Sequence, residues 1–279
     1  MPTIFVTLQG GLANQAIQYA AATKMARATG RKVVCDLSFL NAHQDPNAGI
    51  TPRQFTLNTL LTEPAETVDQ TPPGVIPLSG EVESVPDDGK NYRIQGYWQR
   101  LSALPSFDDL RFMFTTAIDE TDKAAWSGFF NLIHQTLPDS IGIHVRRADY
   151  LTPNALAFHG VLGLDYYKRA TEYIYLNKML KREDMQLVVY SDDTAWCKSD
   201  LVPHLGFDNV IYAEDYLDGD AVQLYSMAFL HHFVIANSSF SWLGRLRAMA
   251  YGNTSTVYPL RWFRDYLPEN MMPKEWIGV

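Results

Sequence analysis

Short apolar runs alternate with segments of helical spacing through most of the chain. Residues 3–8 form a β-rich run that ends at Gly10-Gly11, and Leu12, Ile17, Ala20, Ala21 and Met25 then recur at helical intervals as far as Thr29. Gly30 stops that helix and residues 32–37 resume as a strand, which predicts a β-α-β unit. Between Thr62 and Lys90 the pattern lapses. Pro64, Pro72, Pro73, Pro77 and Pro86 stand there among acidic residues, so the stretch is expected to be an irregular surface excursion and not packed sheet. From about residue 140 the alternation becomes regular. It predicts strands at 141–145, 186–191, 210–212, 233–236 and 254–258, with helices near 165–178, 195, 221–231 and 241–250.

Strands alternating with helices imply α/β architecture with parallel, doubly wound sheets, in which ligands bind beyond the carboxyl ends of the strands. Three polar clusters fall on that edge: His144 to Asp149 after one strand, Ser191-Asp192-Asp193 after the next, and Asn237-Ser238-Ser239 after a third. Two α/β domains, 1–138 and 139–279, are the economical division, with a ligand cleft expected between them. No internal repeat or low-complexity tract interrupts the pattern.

Composition narrows the partners. Across 279 residues, 23 Lys+Arg stand against 31 Asp+Glu, a formal net charge of −8 that disfavours nucleic acid and makes any arginine cluster a local feature. Cys35 and Cys197 belong to no C-x-x-C pair, so neither a disulfide framework nor a zinc site is expected, and a reducing, cytoplasmic setting is the simplest. The N-terminus lacks a basic and apolar leader pattern, and no run approaches ~18 apolar residues, so no integral membrane segment is expected.

The stretch IGIHVRRADY carries the sharpest chemistry. Arg146 and Arg147 end an apolar strand, and a planar, permanently charged fork binds phosphate oxygens bidentately; the alternative is a pair of structural salt bridges. In FVIANSSFSWLGRL a strand passes through small polar residues into a helix, where free amides and the helix dipole favour phosphate, and Ser238, Ser239 or Ser241 adds a hydroxyl or an N-cap. Ser191 and Asp192 suit hydroxyl or amino donors on a ribose or a purine, with Asp193 as a helix cap. Near the N-terminus Gly10-Gly11 allows a tight turn or close backbone approach to a ligand, and Asn14 and Gln15 on the first helical turn are placed to hold a sugar. Asp218-Gly219-Asp220 is a D-x-D tripeptide of the kind that marks a metal in some sugar-nucleotide enzymes. It follows no clear strand and also fits a plain turn, so no metal ligand is assigned.

Together these residues resemble the bacterial α-1,2-fucosyltransferases and the wider set of inverting α-1,2, α-1,6 and protein O-fucosyltransferases. GGLANQAIQYA (10–20) is similar to the G-G-L-G-N-Q-x-x-Q-Y-A opening, with Ala13 for glycine. Gly96-Tyr97-Trp98-Gln99 matches G-Y-W/F-Q, residues 144–150 match H-x-R-R-x-D-Y, 191–196 match S-D-D-x-x-W, and 236–244 match A-N-S-S-F-S-W-W-G with Leu243 for the second tryptophan.

The resemblance implies a GT-B type enzyme of two facing Rossmann-like domains, with the donor GDP-fucose in the C-terminal one and a galactose-terminated oligosaccharide acceptor against the N-terminal one. It implies inversion at the anomeric carbon, without a metal or other cofactor. Arg146 then meets the β-phosphate, Arg147 is a brace, and His144 lies near the nucleotide. Gly11, Asn14, Ser191, Asp192, Asn237, Ser238, Ser239 and Phe240 complete the expected donor site. Where the family often carries an acid that accepts from guanine, this chain has Gln223, with Asp220 a turn earlier as a substitute. Asp149 is the candidate general base, if the reaction uses one, and its favoured role is to orient an arginine. Transfer to the 2-hydroxyl of a galactoside is the expected reaction. The alternatives are α-1,6 or protein O-linked transfer, and a catalytically silent nucleotide-sugar or glycan-binding protein.

Overall fold

The computed structural model describes residues 1–45, 51–115, 120–135, 140–252 and 255–279. The chain divides into two compact units, Met1–Ala117 with Glu269–Met271 and Ile118–Pro268 with Met272–Val279. The boundary expected at 138/139 lies outside the described residues.

In the first unit β1 (Thr3–Thr7), β2 (Lys32–Asp36), β3 (Thr67–Val68), β4 (Ile76–Pro77) and β5 (Tyr92–Ile94) form a five-stranded sheet in the order β3-β2-β1-β5-β4. Every pairing is parallel. All five residues of the central β1 are buried, as a strand covered on both faces requires. The helix Leu12–Ala28 packs Ala16, Ile17, Ala20 and Ala21 fully inside. One expectation is corrected here: the proline-rich stretch supplies β3 and β4, the two edges of the sheet. Two-residue strands leave no periodic trace, and Pro77 is tolerated at an edge because its missing N–H interrupts no central ladder.

The second unit holds β6 (Ser140–Val145), β7 (Gln186–Ser191), β8 (Asn209–Tyr212), β9 (His232–Val234), β10 (Ser255–Tyr258) and β11 (Ile277–Gly278), ordered β11-β10-β9-β6-β7-β8. All pairings are again parallel. The chain runs outward from β6 through β7 to β8, then returns to β9 on the other side of β6. The β6/β9 neighbours therefore form the topological switch point where open α/β sheets bind ligands. Gly142 faces Phe233 across that pair, and a Cβ on it would come within 2.4 Å of the phenyl ring, so only glycine fits. Beneath lie Ile141, Ile143, Val145, Leu187, Val189, Val234 and Val257, packed with Tyr166, Tyr167, Ala170 and Ile174 of the helix Leu164–Asn177.

The second-unit elements follow the expected alternation with local shifts. The helix Ser239–Ala248 starts two residues early because Ser238 caps it. The helix Asp220–Ser226 tightens into a 3-10 turn, Met227–Phe229, and ends before His231. Helices Phe107–Met113, Glu120–Gln135 and Pro153–His159 had no sequence expectation. Thr254, the expected first residue of the last long strand, lies outside the described residues.

Candidate functional site

The carboxyl ends of β6, β7 and β9 bring the three polar clusters of the second unit together. Arg146, just beyond β6, is held by two carboxylates: Nη2 lies 2.7 Å from Asp149 Oδ2 and Nη1 3.0 Å from Asp192 Oδ2. Its side chain keeps 24% of its surface exposed, so the fork is oriented yet accessible. Asp149 opens the 3-10 turn Asp149–Leu151, whose geometry returns its carboxylate three residues back along the chain. Asp192 uses both oxygens, because Oδ1 also accepts from the Arg147 backbone N–H at 2.8 Å. Arg147 itself donates Nε to Asp193 at 3.1 Å and lies 4.0 Å over the Trp196 ring, the geometry of a brace. Asp193 also caps the next helix through the Trp196 N–H. Ser191 Oγ accepts from the Asp193 N–H and so shapes the turn.

His144 is buried at the penultimate position of β6, with Nδ1 2.9 Å from Ser241 Oγ. Burial, and secondarily the Arg146 charge, push its pKa down to about 3, so the ring is neutral near pH 7. The Phe240 ring stands 5.5 Å away. Ser238 is extended, and its Oγ accepts from the Phe240 N–H at 3.4 Å, the N-cap interaction. Ser239 and Phe240 are half-buried on the first turn of the same helix. The positive end of that helix dipole and the Arg146 fork thus flank the switch point, an arrangement suited to a diphosphate. At the far end of the helix Arg245 is fully buried, donating Nη1 to Met227 O and Leu230 O and Nε to Thr256 Oγ1. Burial lowers its pKa to about 9. No sequence expectation had covered it; its cation sits against main-chain oxygens of the preceding 3-10 turn.

Asn237 is almost wholly buried, and its side chain works inward: Nδ2 donates to His159 O at 3.0 Å and to Trp262 O at 3.1 Å. Its own carbonyl accepts from the Tyr150 hydroxyl at 3.2 Å. Tyr150 stacks on His159 with centroids 4.4 Å apart and planes 10° from parallel, and the Arg146 guanidinium carbon lies 5.5 Å from the same tyrosine ring. Tyr150 falls inside a quoted motif, but nothing in the spacing of the chain pointed to His159.

Gln223 is half-buried and donates Nε2 to Leu217 O at 3.1 Å. Asp220 is exposed at the first turn of its helix, and Asp218 is exposed in the preceding turn. Among the described residues no three His, Cys, Asp or Glu side chains converge as metal ligands.

Gly11, Asn14 and Gln15 belong to the first unit. Gly10 has φ +78° and is pressed against Asn14, where a Cβ would meet Nδ2 at 2.5 Å. Asn14 Oδ1 accepts from Gln99 Nε2 at 3.2 Å, which joins the opening motif to the G-Y-W-Q element. Gln15 is not placed to hold a sugar as expected. It is fully buried and spends its amide on Gly10 O, Gln54 O and the Thr56 N–H. Trp98 is equally buried, with Nε1 donating to Val82 O at 2.7 Å. Among the described residues no helix is long and apolar enough to cross a membrane.

The profile of glycosyl transferase family 11 matches residues 78–279. The O-antigen biosynthesis glycosyltransferase WbnK of Escherichia coli is 30% identical over 146 residues, covering 50% of this chain and 45% of that protein. An alpha-1,2-colitosyltransferase of Escherichia coli is 30% identical over 196 residues, covering 66% of this chain and 61% of that protein. The chain thus spans 45% to 61% of the length of these curated relatives. Among solved structures, the α-1,6-fucosyltransferase NodZ from Bradyrhizobium, soaked with GDP-fucose, aligns with a TM-score of 0.51 at 15% identity, over 88% of this chain and 92% of that one. The shared architecture is GT-B, two parallel-sheet α/β units of Rossmann type.

Proposed function

The chain belongs to glycosyl transferase family 11, and from that premise we propose that it moves fucose from GDP-β-L-fucose to the 2-hydroxyl of a galactoside, with inversion and without a metal. The observation that carries the reading is Arg146, pinned by Asp149 and Asp192 at the switch point beside the start of the helix Ser239–Ala248. The acceptor oxygen forms a bond to C1 of the sugar as the bond from C1 to the β-phosphate oxygen breaks, and the electron pair leaves with GDP. Negative charge grows on that phosphate, where a fixed guanidinium and helix-start amides stabilise it most. Neutral His144 contributes by locking the helix start to β6 through Ser241. Asp149, committed to Arg146, orients the fork, and the hydroxyl proton passes to solvent water late in the step, because the sugar is already oxocarbenium-like.

A second reading changes only the transferred sugar, since one Escherichia coli relative is named for colitose. Purified protein incubated with GDP-fucose, other GDP-sugars and a panel of galactosides, in excess EDTA, tests both. Released GDP with an α-1,2 fucosyl product supports the proposal. A product with colitose alone replaces the donor, a different linkage replaces the acceptor position, and restoration by Mg²⁺ or Mn²⁺ after chelation rejects the metal-free mechanism. Tight GDP binding with no turnover on any pair leaves a binding protein.

A further inference from the structure

We propose that the acceptor's terminal sugar ring rests on an aromatic shelf in the second unit, built by Phe158, Phe263 and Tyr266 around His159. The inference deepens the transferase reading and rests on it. The shelf starts at the diphosphate-facing arginine: Arg146 lies against Tyr150, and Tyr150 stacks on His159 at 4.4 Å. From His159 the run continues outward to Phe158 at 4.8 Å, edge-on, and to Phe263 at 5.7 Å. Phe263 is in turn 4.8 Å from Phe158 and 4.9 Å from Tyr266. Its outer members stand in solvent, with Phe158 and Tyr266 each 55% exposed.

Single exposed aromatics are ordinary, but a contiguous row that ends at a charged site marks a binding surface. This row is also rigid. The Trp262 and Phe263 N–H groups both donate to Tyr266 O, and the Arg264 N–H donates to Phe158 O at 3.0 Å. Asn237 then clamps the two segments together through His159 O and Trp262 O. Such bracing pre-pays the ordering cost of binding.

The chemistry of the row selects its occupant. A pyranose has an apolar C–H face that lies on an aromatic ring and a rim of hydroxyls that seeks polar partners. Here polar groups interleave with the rings: the hydroxyl of exposed Tyr266 and the exposed Arg264 side chain. A lipid tail would leave those groups unsatisfied. Continuity with Arg146 keeps the row beside the reacting centre, and inversion requires the hydroxyl of its occupant to reach C1 on the face opposite the leaving phosphate. The resemblance alone assigned the acceptor to the first unit, so this surface is an addition to that expectation.

Phe158→Ala and Tyr266→Ala in the full chain test the proposal, with Phe158→Tyr as the conservative control. Both positions are more than half exposed, so the fold tolerates the change. Acceptor KM should rise about three- to tenfold for each alanine variant, while donor KM and acceptor-free hydrolysis of GDP-fucose stay within about twofold, and Phe158→Tyr should restore acceptor KM. Unchanged acceptor KM in both alanine variants, or an equal rise in donor KM, overturns the shelf. Loss of liposome cosedimentation with acceptor KM intact also overturns it, in favour of a lipid surface. A wild-type protein that neither transfers nor hydrolyses any GDP-sugar would instead defeat the transferase reading. Galactoside titration followed by calorimetry then decides the shelf separately: equal affinities of wild type and variants reject it.

Discussion

His144 Nδ1 meets Ser241 Oγ at 2.9 Å, and this one buried contact joins the end of β6 to the first turn of the helix Ser239–Ala248. The arginine after β6 and the helix start after β9 are therefore held in fixed register.

Arg146 should be the most sensitive single position. Its fork is oriented by Asp149 and Asp192, and Arg146→Ala should lower turnover by roughly 10²–10³, the scale for losing a preorganised charge donor. Lysine cannot engage both carboxylates and a phosphate with a single ammonium, so Arg146→Lys should recover little. Steady-state kinetics that showed near-wild-type turnover for the lysine variant would remove Arg146 from the mechanism.

Stability should fall in mild acid because of His144. Its pKa is about 3 in the folded protein against an ordinary value of 6.5, so the unfolded chain binds the extra proton between those limits. Folding free energy then declines as the pH drops through that window, by up to about 1.4 kcal/mol per unit. Urea unfolding at pH 7 and pH 5 should show the loss, and His144→Gln should flatten it. An unchanged slope in the variant would mean that other groups carry the acid sensitivity.

Gln223 presents its amide N–H to Leu217 O, so a carboxylate there would set two acceptors face to face. Gln223→Glu should therefore cost about 1 kcal/mol of stability, the scale of a lost and unreplaced hydrogen bond. Thermal melts with and without GDP measure it. A stabilised variant that gains affinity for GDP over IDP would show that the carboxylate turns to the base and leaves Leu217.

Strand β7 was readable from residues alone because a strand buried on both faces is continuously apolar, and all but the last residue of Gln186–Ser191 are buried. The three polar clusters were readable for a related reason, since parallel topology delivers strand ends to one edge. Other features leave no local mark. Strands β3, β4 and β11 have two residues each and owe their conformation to a neighbour. Gln15 looked like a cleft residue on an exposed turn, but its partners Gln54 and Thr56 lie about forty positions away. The same holds for the stack of Tyr150 on His159, which depends on Asn237, 78 residues beyond His159. Periodicity reports which face is buried and says nothing about which distant backbone carbonyl a side chain will find.

The 97-residue span of the contact between His144 and Ser241 has a kinetic consequence. Its two halves sit on β6 and on the helix that follows β9, a strand neighbouring β6 in space and far from it in sequence, with β7 and β8 and their helices looped between them. Closing so large a loop comes after local helices and the β6 and β7 pairing have formed. On refolding, ellipticity should recover before donor affinity. A chain halted at that intermediate should have most of its secondary structure and an unassembled switch point, and its unpaired β6 edge should be the surface by which such chains associate.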